Sequence, residues 1–445
     1  MSNHQENHKH NQNGLKSPQQ QHEQVVVVMV PFPAQGHLNQ LLQLFRLLLS
    51  YDIPVHYVGI ASHNRQAKLR VHGWNTVAAS NIQFHDFEIP PFLCPLPDPN
   101  ATIKFPSHLQ PCFDAAKHLN EPVTIFHSVS AFTDYLYKWE AFQGNTIEAN
   151  DVIPKEIPSL EGCFTSEFLD SIASEYDYQK FNSGNVYNTS RVVESAYMKL
   201  LEQSTIAENI KHWALGPFNP VTIPKKKGSN SRHFCLEWLD KQASNSVVYV
   251  SFGTTTAMND EQIEELAIGL KQSNQKFIWV LRDADKGDVF NEIEVRRAKL
   301  PKGYEDLIKD KGLIVRDWAP QLEILAHPSI GGFVSHCGWN SCMESITMEV
   351  PIGAWPMHSD QPRNMVLITQ VLKVGIVVND WTKRNEIVTA NRVEKVLERL
   401  MVSKEGDDMR KRATELGGDV RRSMDEGGAS RMEMDSFVAH ITKVG

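Results

Sequence analysis

The chain has 445 residues and a net charge of −8, with 41% hydrophobic and 22% charged residues. That is an ordinary globular balance, with enough apolar mass for two domains. It argues against a basic nucleic-acid binder, and no apolar run is long enough to be read as a membrane-spanning helix.

Residues 1–24 are rich in Gln, Asn and His and poor in apolar side chains. They read as a disordered tail without the apolar h-region of a secretory signal. "VVVVMVPF" (25–32) then predicts a buried parallel strand. Its loop carries Pro33 and Gly36, and Leu38, Leu41, Leu42, Phe45, Leu48 and Leu49 follow at helical spacing. "VHYVGI" (55–60) completes a βαβ unit. A Pro-rich stretch at 88–100 reads as an irregular connection, and "WALGPFNPVTIPKKKGSNS" (213–231) as a linker whose Lys225–Lys227 run is solvated.

A second α/β series begins at "SVVYVSFG" (246–253). A helix capped by Asn259 follows, then strands at "KFIWVLR", "GLIVRDW", "IGGFVSH" and "PIGAWP". Two parallel α/β halves imply a cleft, with ligands at the carboxyl ends of strands. The six cysteines, Cys94, Cys112, Cys163, Cys235, Cys337 and Cys342, form no CxxC pair. We therefore expect a reduced, cytoplasmic setting and no metal site, since His336 beside Cys337 lacks a matching ligand pair.

The chemistry concentrates in "FVSHCGWNSCMES" (333–345), where a strand hands over to a helix with Asn340 or Ser341 as expected N-cap. Unpaired N–H groups and positive partial charge at a helix start suit phosphate. His336, Asn340 and Ser341 add side-chain donors there. Glu344, on about the same helix face as Ser341, would repel phosphate but suits ribose hydroxyls. The same residues also fit a plain strand, turn and capped helix in which His336, Cys337 and Trp339 are packing groups.

The longer stretch from Trp318 to Gln361 closely resembles the signature of the plant UDP-sugar-dependent glycosyltransferases. Its anchors are Trp318, Ala319-Pro320-Gln321, His336 to Ser341, Glu344, Pro351 and Asp360-Gln361. The resemblance implies the GT-B fold, an α/β arrangement of two Rossmann-like domains facing a cleft. It also implies roles. Trp318 stacks on uracil, with Ala319 and Gln321 beside the uridine. His336 and Ser341, with Asn340, hold the diphosphate, and Glu344 takes the ribose. Trp339, Asp360 and Gln361 face the sugar, a terminal glutamine resembling the glucose-using members. "PFPAQGHLNQ" (31–40) resembles the loop with the catalytic histidine, here His37, and "SFGTTT" (251–256) places Gly253 and Thr254 near the donor. Stretches including "VHGWN", "FHDFEIPPF" and "HSDQPRN" resemble the zeatin O-glucosyltransferases and O-xylosyltransferases within that family.

On this reading 25–213 is the acceptor-binding domain, 214–234 the linker, 235–427 the UDP-sugar domain, and 428–445 a helix returning to the first domain. The expected reaction, by resemblance, is inverting transfer of glucose from UDP-glucose to a hydroxyl of a small plant acceptor, the side-chain hydroxyl of zeatin-type cytokinins. The alternatives are a UDP-xylose-using or flavonoid-directed glycosyltransferase, or a catalytically impaired UDP-sugar-binding variant. No cofactor, metal, nucleic acid or membrane takes part, and a monomer is expected. No G-x-G-x-x-G follows either first strand, which disfavours an oxidoreductase. One departure stands out: relatives carry a strand, a helix and an aspartate that orients the histidine between segments like "LNEPV" (119–123) and "TIFHSVSAF" (124–132). Here those segments abut, so a βα piece and the aspartate are expected to be missing and turnover to be lowered. Asp114 and Asp134 flank the junction.

Overall fold

The computed structural model describes residues 25–32, 34–71, 82–87, 95, 98–107, 110–111, 125–141, 152–175, 182–204, 210–223, 232–282 and 298–442. The tail 1–24, most of the Pro-rich connection, the junction at 123–124 and Asp114 lie outside the described residues.

The C-terminal half is a six-stranded parallel sheet. Its strands are β7 (Val247–Ser251), β8 (Lys276–Val280), β9 (Gly312–Val315), β10 (Ile330–Ser335), β11 (Ile352–Ala354) and β12 (Gly375–Val377). They lie in the order β12-β11-β10-β7-β8-β9. Strands covered on both faces are apolar along their whole length, and every residue of β7 and β10 is buried. Helix Asp260–Gln272 packs Ile263, Leu266 and Leu270 into one face, capped by Asn259 accepting from the N–H of Gln262. Strand order reverses between β7 and β10, and Ser251 pairs with Ser335 at their carboxyl ends. A ligand-binding crevice opens at such a switch point in open α/β sheets.

Among the described residues the N-terminal half carries two three-stranded parallel sheets. One is β1 (Val27–Met29), β2 (Val55–Ile60) and β3 (Ile82–Phe87); the other is β4 (Ile125–His127), β5 (Gly184–Tyr187) and β6 (Lys211–Ala214). β1 is shorter than the apolar run 25–32 because Pro31 has no N–H to donate. β1 pairs only with β2 and β4 only with β5, so each leaves one edge unpaired among the described residues. Helix Gln35–Leu49 buries Leu38, Leu42, Phe45 and Leu48 against β2 residues Val55 and Tyr57.

The halves share an apolar core. Phe132, Tyr135, Leu136 and Met198 from the first pack with Trp339, Met343, Ile346 and Ile368 from the second. Helix Ala429–Ile441 lies on the N-terminal half, with Met434 and Phe437 in the core beside Trp213.

Candidate active site

The loop after β7 and the loop after β10 meet at the switch point. Gly253 has φ +76°, and a Cβ there would lie 2.8 Å from His336 Nε2; at Gly338 it would lie 2.5 Å from the same atom. The His336 ring is therefore clasped between two backbones that only glycine allows so close. Burial pushes its pKa down to about 4, and Nδ1 has no hydrogen-bond partner. It is a neutral imidazole, able to donate one hydrogen bond to an anion.

Helix Trp339–Thr347 begins here with Gly338 as N-cap. The expected caps Asn340 and Ser341 instead lie within the first turn, because the backbone already turns helical at Trp339. The first-turn N–H groups of Trp339, Asn340 and Ser341 precede the helical ladder, whose early bond runs from Cys342 N–H to Gly338 O. This is an amide-lined anion site beside His336.

Gln321 Nε2 donates to Ser341 Oγ at 3.0 Å and to Glu344 Oε2 at 2.7 Å, which gathers three of the expected donor residues. Burial lifts the Glu344 carboxyl to about 7, against the Gln321 hydrogen bond that lowers it. Two ribose hydroxyls would supply further donors to that carboxylate. Ala319 is buried, whereas the Trp318 indole is 63% exposed. Thr254 is partly buried in the loop after Gly253.

Two of the signature side chains are engaged within the protein. The Trp339 indole is buried in the shared core, and Nε1 donates to Asn188 O at 2.9 Å. An indole has one donor, so only the backbone N–H of Trp339 remains for a ligand. Asn340 is partly engaged: one N–H of its Nδ2 donates to Gly36 O at 3.0 Å and its Oδ1 accepts from Asn188 Nδ2 at 3.3 Å, which leaves the second N–H for a ligand. Both side chains join the halves.

Asp360 and Gln361 open helix Gln361–Val366. Asp360 Oδ2 accepts from Asn364 Nδ2 at 2.7 Å, and burial raises its carboxyl to about 6. Gln361 Oε1 accepts from the N–H groups of Met357 and His358 at 2.8 and 3.0 Å, so its carbonyl shapes the loop and its amide group faces His358.

Across the interface, His37 sits in the first turn of its helix, its N–H bonded to Ala34 O. Burial lowers its pKa to about 4, so it is neutral and basic in form near pH 7. Nε2 lies 2.6 Å from Ser128 Oγ, and Nδ1 is buried without a hydrogen-bond partner. Asp134 does not reach it. That carboxylate binds Tyr187 OH at 2.8 Å, Lys138 at 3.2 Å and His127 at 3.4 Å. Burial alone would raise its pKa, but His127, Lys138 and the Tyr187 hydroxyl outweigh it and hold the group below the usual carboxylate range. Ser128, Asn188 and Asn364 had no spacing signal in the sequence; each matters through a contact over 90 residues or more or, for Asn364, through Asp360 beside it.

Comparison with known proteins agrees with this geometry. A family model described as "Glycosyltransferase, N-terminal domain" matches in two pieces, 23–133 and 125–220, and "UDP-glucoronosyl and UDP-glucosyl transferase" matches 179–405. The chain is 52% identical to zeatin O-glucosyltransferase of Phaseolus lunatus, over 94% of this chain and 97% of that one. It is 50% identical to zeatin O-xylosyltransferase of Phaseolus vulgaris, over 94% and 98%. The crystal structure of TcCGT1 with UDP superposes with a TM-score of 0.76 at 26% identity, over 95% of this chain and 100% of that chain. A family model matched over half the chain, and relatives matched along nearly all of it, place this chain in the UDP-glucuronosyl and UDP-glucosyl transferase family, as a UDP-dependent glycosyltransferase of the GT-B fold.

Proposed function

We propose that the chain transfers glucose from UDP-glucose to the side-chain hydroxyl of a zeatin-type cytokinin, with inversion at the anomeric carbon. The observation that carries the acceptor is the 52% identity, along nearly the full length, to an enzyme named for zeatin O-glucosylation. UDP-xylose is the second donor reading, because the xylosyltransferase relative is 50% identical over a similar span.

In this reading Trp318 stacks on the uracil, while Ala319 and Gln321 border the uridine. Glu344 accepts from the ribose hydroxyls. His336, Ser341 and the first-turn amides take the diphosphate, and Gly253 and Thr254 close the site from the β7 side. Asp360 and the amide group of Gln361 face the sugar. His37 accepts the proton of the acceptor hydroxyl as its oxygen attacks the anomeric carbon. The bond from that carbon to the UDP oxygen breaks on the opposite face, and UDP leaves with the electron pair. A positioned base of this kind accelerates by roughly 10²–10⁴-fold. Amides and a neutral imidazole aimed at the leaving diphosphate stabilise charge as it develops. The reaction partners are thus a small acceptor and a UDP-sugar. The chain is read as a cytoplasmic monomer; among the described residues no helix is long and apolar enough to cross a membrane.

Purified protein incubated with zeatin isomers and a flavonol, each with UDP-glucose and UDP-xylose, tests this. The expected result is a zeatin O-glucoside, with UDP-glucose favoured. Transfer to the flavonol alone would overturn the acceptor assignment, and calorimetry showing no heat with UDP in folded protein would overturn the donor site.

A further inference from the structure

The β4 strand leads into the segment Ser128–Thr133, a bend that runs into the first turn of helix Ala131–Ala141 and touches both sides of the cleft. At its start Ser128 Oγ lies 2.6 Å from His37 Nε2, and Ser128 O accepts from Gln40 Nε2 at 3.2 Å. Gln40 is three residues after His37 on the same helix, so the turn grips that helix at two points. Two residues further, Ser130 Oγ lies 2.9 Å from Asn364 Oδ1, and Thr133 Oγ1 lies 3.2 Å from the same oxygen. Asn364 Nδ2 then donates to Asp360 Oδ2 at 2.7 Å and to Cys337 O at 2.9 Å. Ser130, Thr133 and Asn364 are all fully buried.

The amide of Asn364 thus has two hydroxyls on its oxygen and two acceptors on its nitrogen, which uses its full capacity and admits one orientation. The turn is also stiff. Ser130 Oγ accepts from Thr133 N–H at 3.1 Å, and the buried Glu194 carboxyl accepts from the N–H groups of Ala131 and Phe132 at 3.1 and 2.8 Å. A carboxyl at that helix start both caps it and opposes its dipole. Buried networks with every member satisfied hold one geometry.

We propose that this turn is a gauge that sets the register between the base and the sugar, with Ser128 positioning His37 and Asn364 positioning Asp360. The inference rests on the roles proposed above for His37 and Asp360. Ser128 fixes the imidazole through Nε2 in a chain whose junction lacks the aspartate expected from the family resemblance. One N–H of Asn364 holds Asp360 Oδ2 while its other N–H is fixed on Cys337 O, so the amide sets the orientation in which the Asp360 carboxyl meets a sugar hydroxyl.

The Asn364→Asp variant keeps the volume and exchanges two donors for an oxygen facing Asp360 and Cys337 O. Titrated by calorimetry, it is expected to bind UDP as the unaltered protein does and UDP-glucose at least tenfold more weakly. Ser130→Ala, a smaller change that preserves folding if Asn364→Asp does not, is expected to weaken UDP-glucose in the same sense by a few fold. For the other end, the ring nitrogens of His37 are followed by NMR against pH, assigned by difference from His37→Gln. Ser128→Ala is expected to move the titration midpoint by more than half a pH unit and Ser128→Thr to restore it. Equal affinities for UDP-glucose in both turn variants and the unaltered protein, or an unmoved midpoint in Ser128→Ala, overturns the gauge. Asp360→Asn separates the two levels. If it keeps the full preference for UDP-glucose, the sugar-site reading fails; if it loses that preference while Asn364→Asp keeps it, only the gauge fails.

Discussion

The two halves use the same βα alphabet and end differently. In the C-terminal half one sheet runs unbroken through six strands, and its switch point has a strand on each side. In the N-terminal half the corresponding place, between β1 and β4, has no strand among the described residues, and the sheet is two separate pieces. The donor side is therefore built from loops anchored in a continuous ladder, whereas the acceptor side depends on side-chain contacts such as His37–Ser128 to hold its pieces in register. The overlapping matches 23–133 and 125–220 to one N-terminal family model meet at this break.

The largest test of that contrast is repair. Inserting a relative's βα segment with its aspartate between Val123 and Thr124 is expected to raise kcat by roughly 10²-fold or more, since removing the orienting carboxylate from a Ser-His-Asp triad costs about 10⁴-fold. UDP affinity should not change. A comparable loss is expected for His37→Ala in the repaired chain, about 10²–10⁴-fold in kcat, with UDP binding intact. Loss of UDP binding in that variant would erase the division between the halves. Next comes Trp318→Ala, expected to weaken UDP by about 1–3 kcal/mol, the range for stacking a base on an aromatic ring, read by calorimetry. A melting experiment should show UDP at 100 times its Kd stabilising the C-terminal half by about 2.7 kcal/mol, while amides of β1 and β4 exchange faster than those of β7 and β10.

The smallest effect is one of pH. Burial raises Glu344 to about 7 and Asp360 to about 6, so each is a hydrogen-bond acceptor on both oxygens only above its own value. The KM for UDP-glucose should therefore rise as pH falls through about 7 and then 6. The His37 base, with a pKa of about 4, stays competent throughout that window. A KM that is flat from pH 8 to 5 would contradict the ribose and sugar roles of the two carboxyls.

Much of this was legible beforehand. The β-branched runs at 247–251 and 330–335 announce buried parallel strands, and Asn259 announces a helix start; all three stand in the structure. The abutting segments at 119–132 carry the expectation of a missing βα piece, and their junction lies outside the described residues. What the sequence hid depends on pairing across the chain. Trp339 and Asn340 stand in the signature, yet their side chains point to Asn188 and Gly36, and only the packing of the two halves decides that. The gauge was hidden for the same reason: Ser130 and Asn364 are 234 positions apart.

The halves are joined by the segment that follows Phe218 and again by the one before helix Ala429–Ile441. Both passages meet at a single buried knot of hydroxyls. Ser430 Oγ lies 2.6 Å from Gly216 O, 2.9 Å from Ser190 Oγ and 3.1 Å from Ser423 Oγ. Two tethers fastened at one spot share a single anchor in these serines. A bulky residue at Ser430 is expected to loosen that anchor without touching substrate.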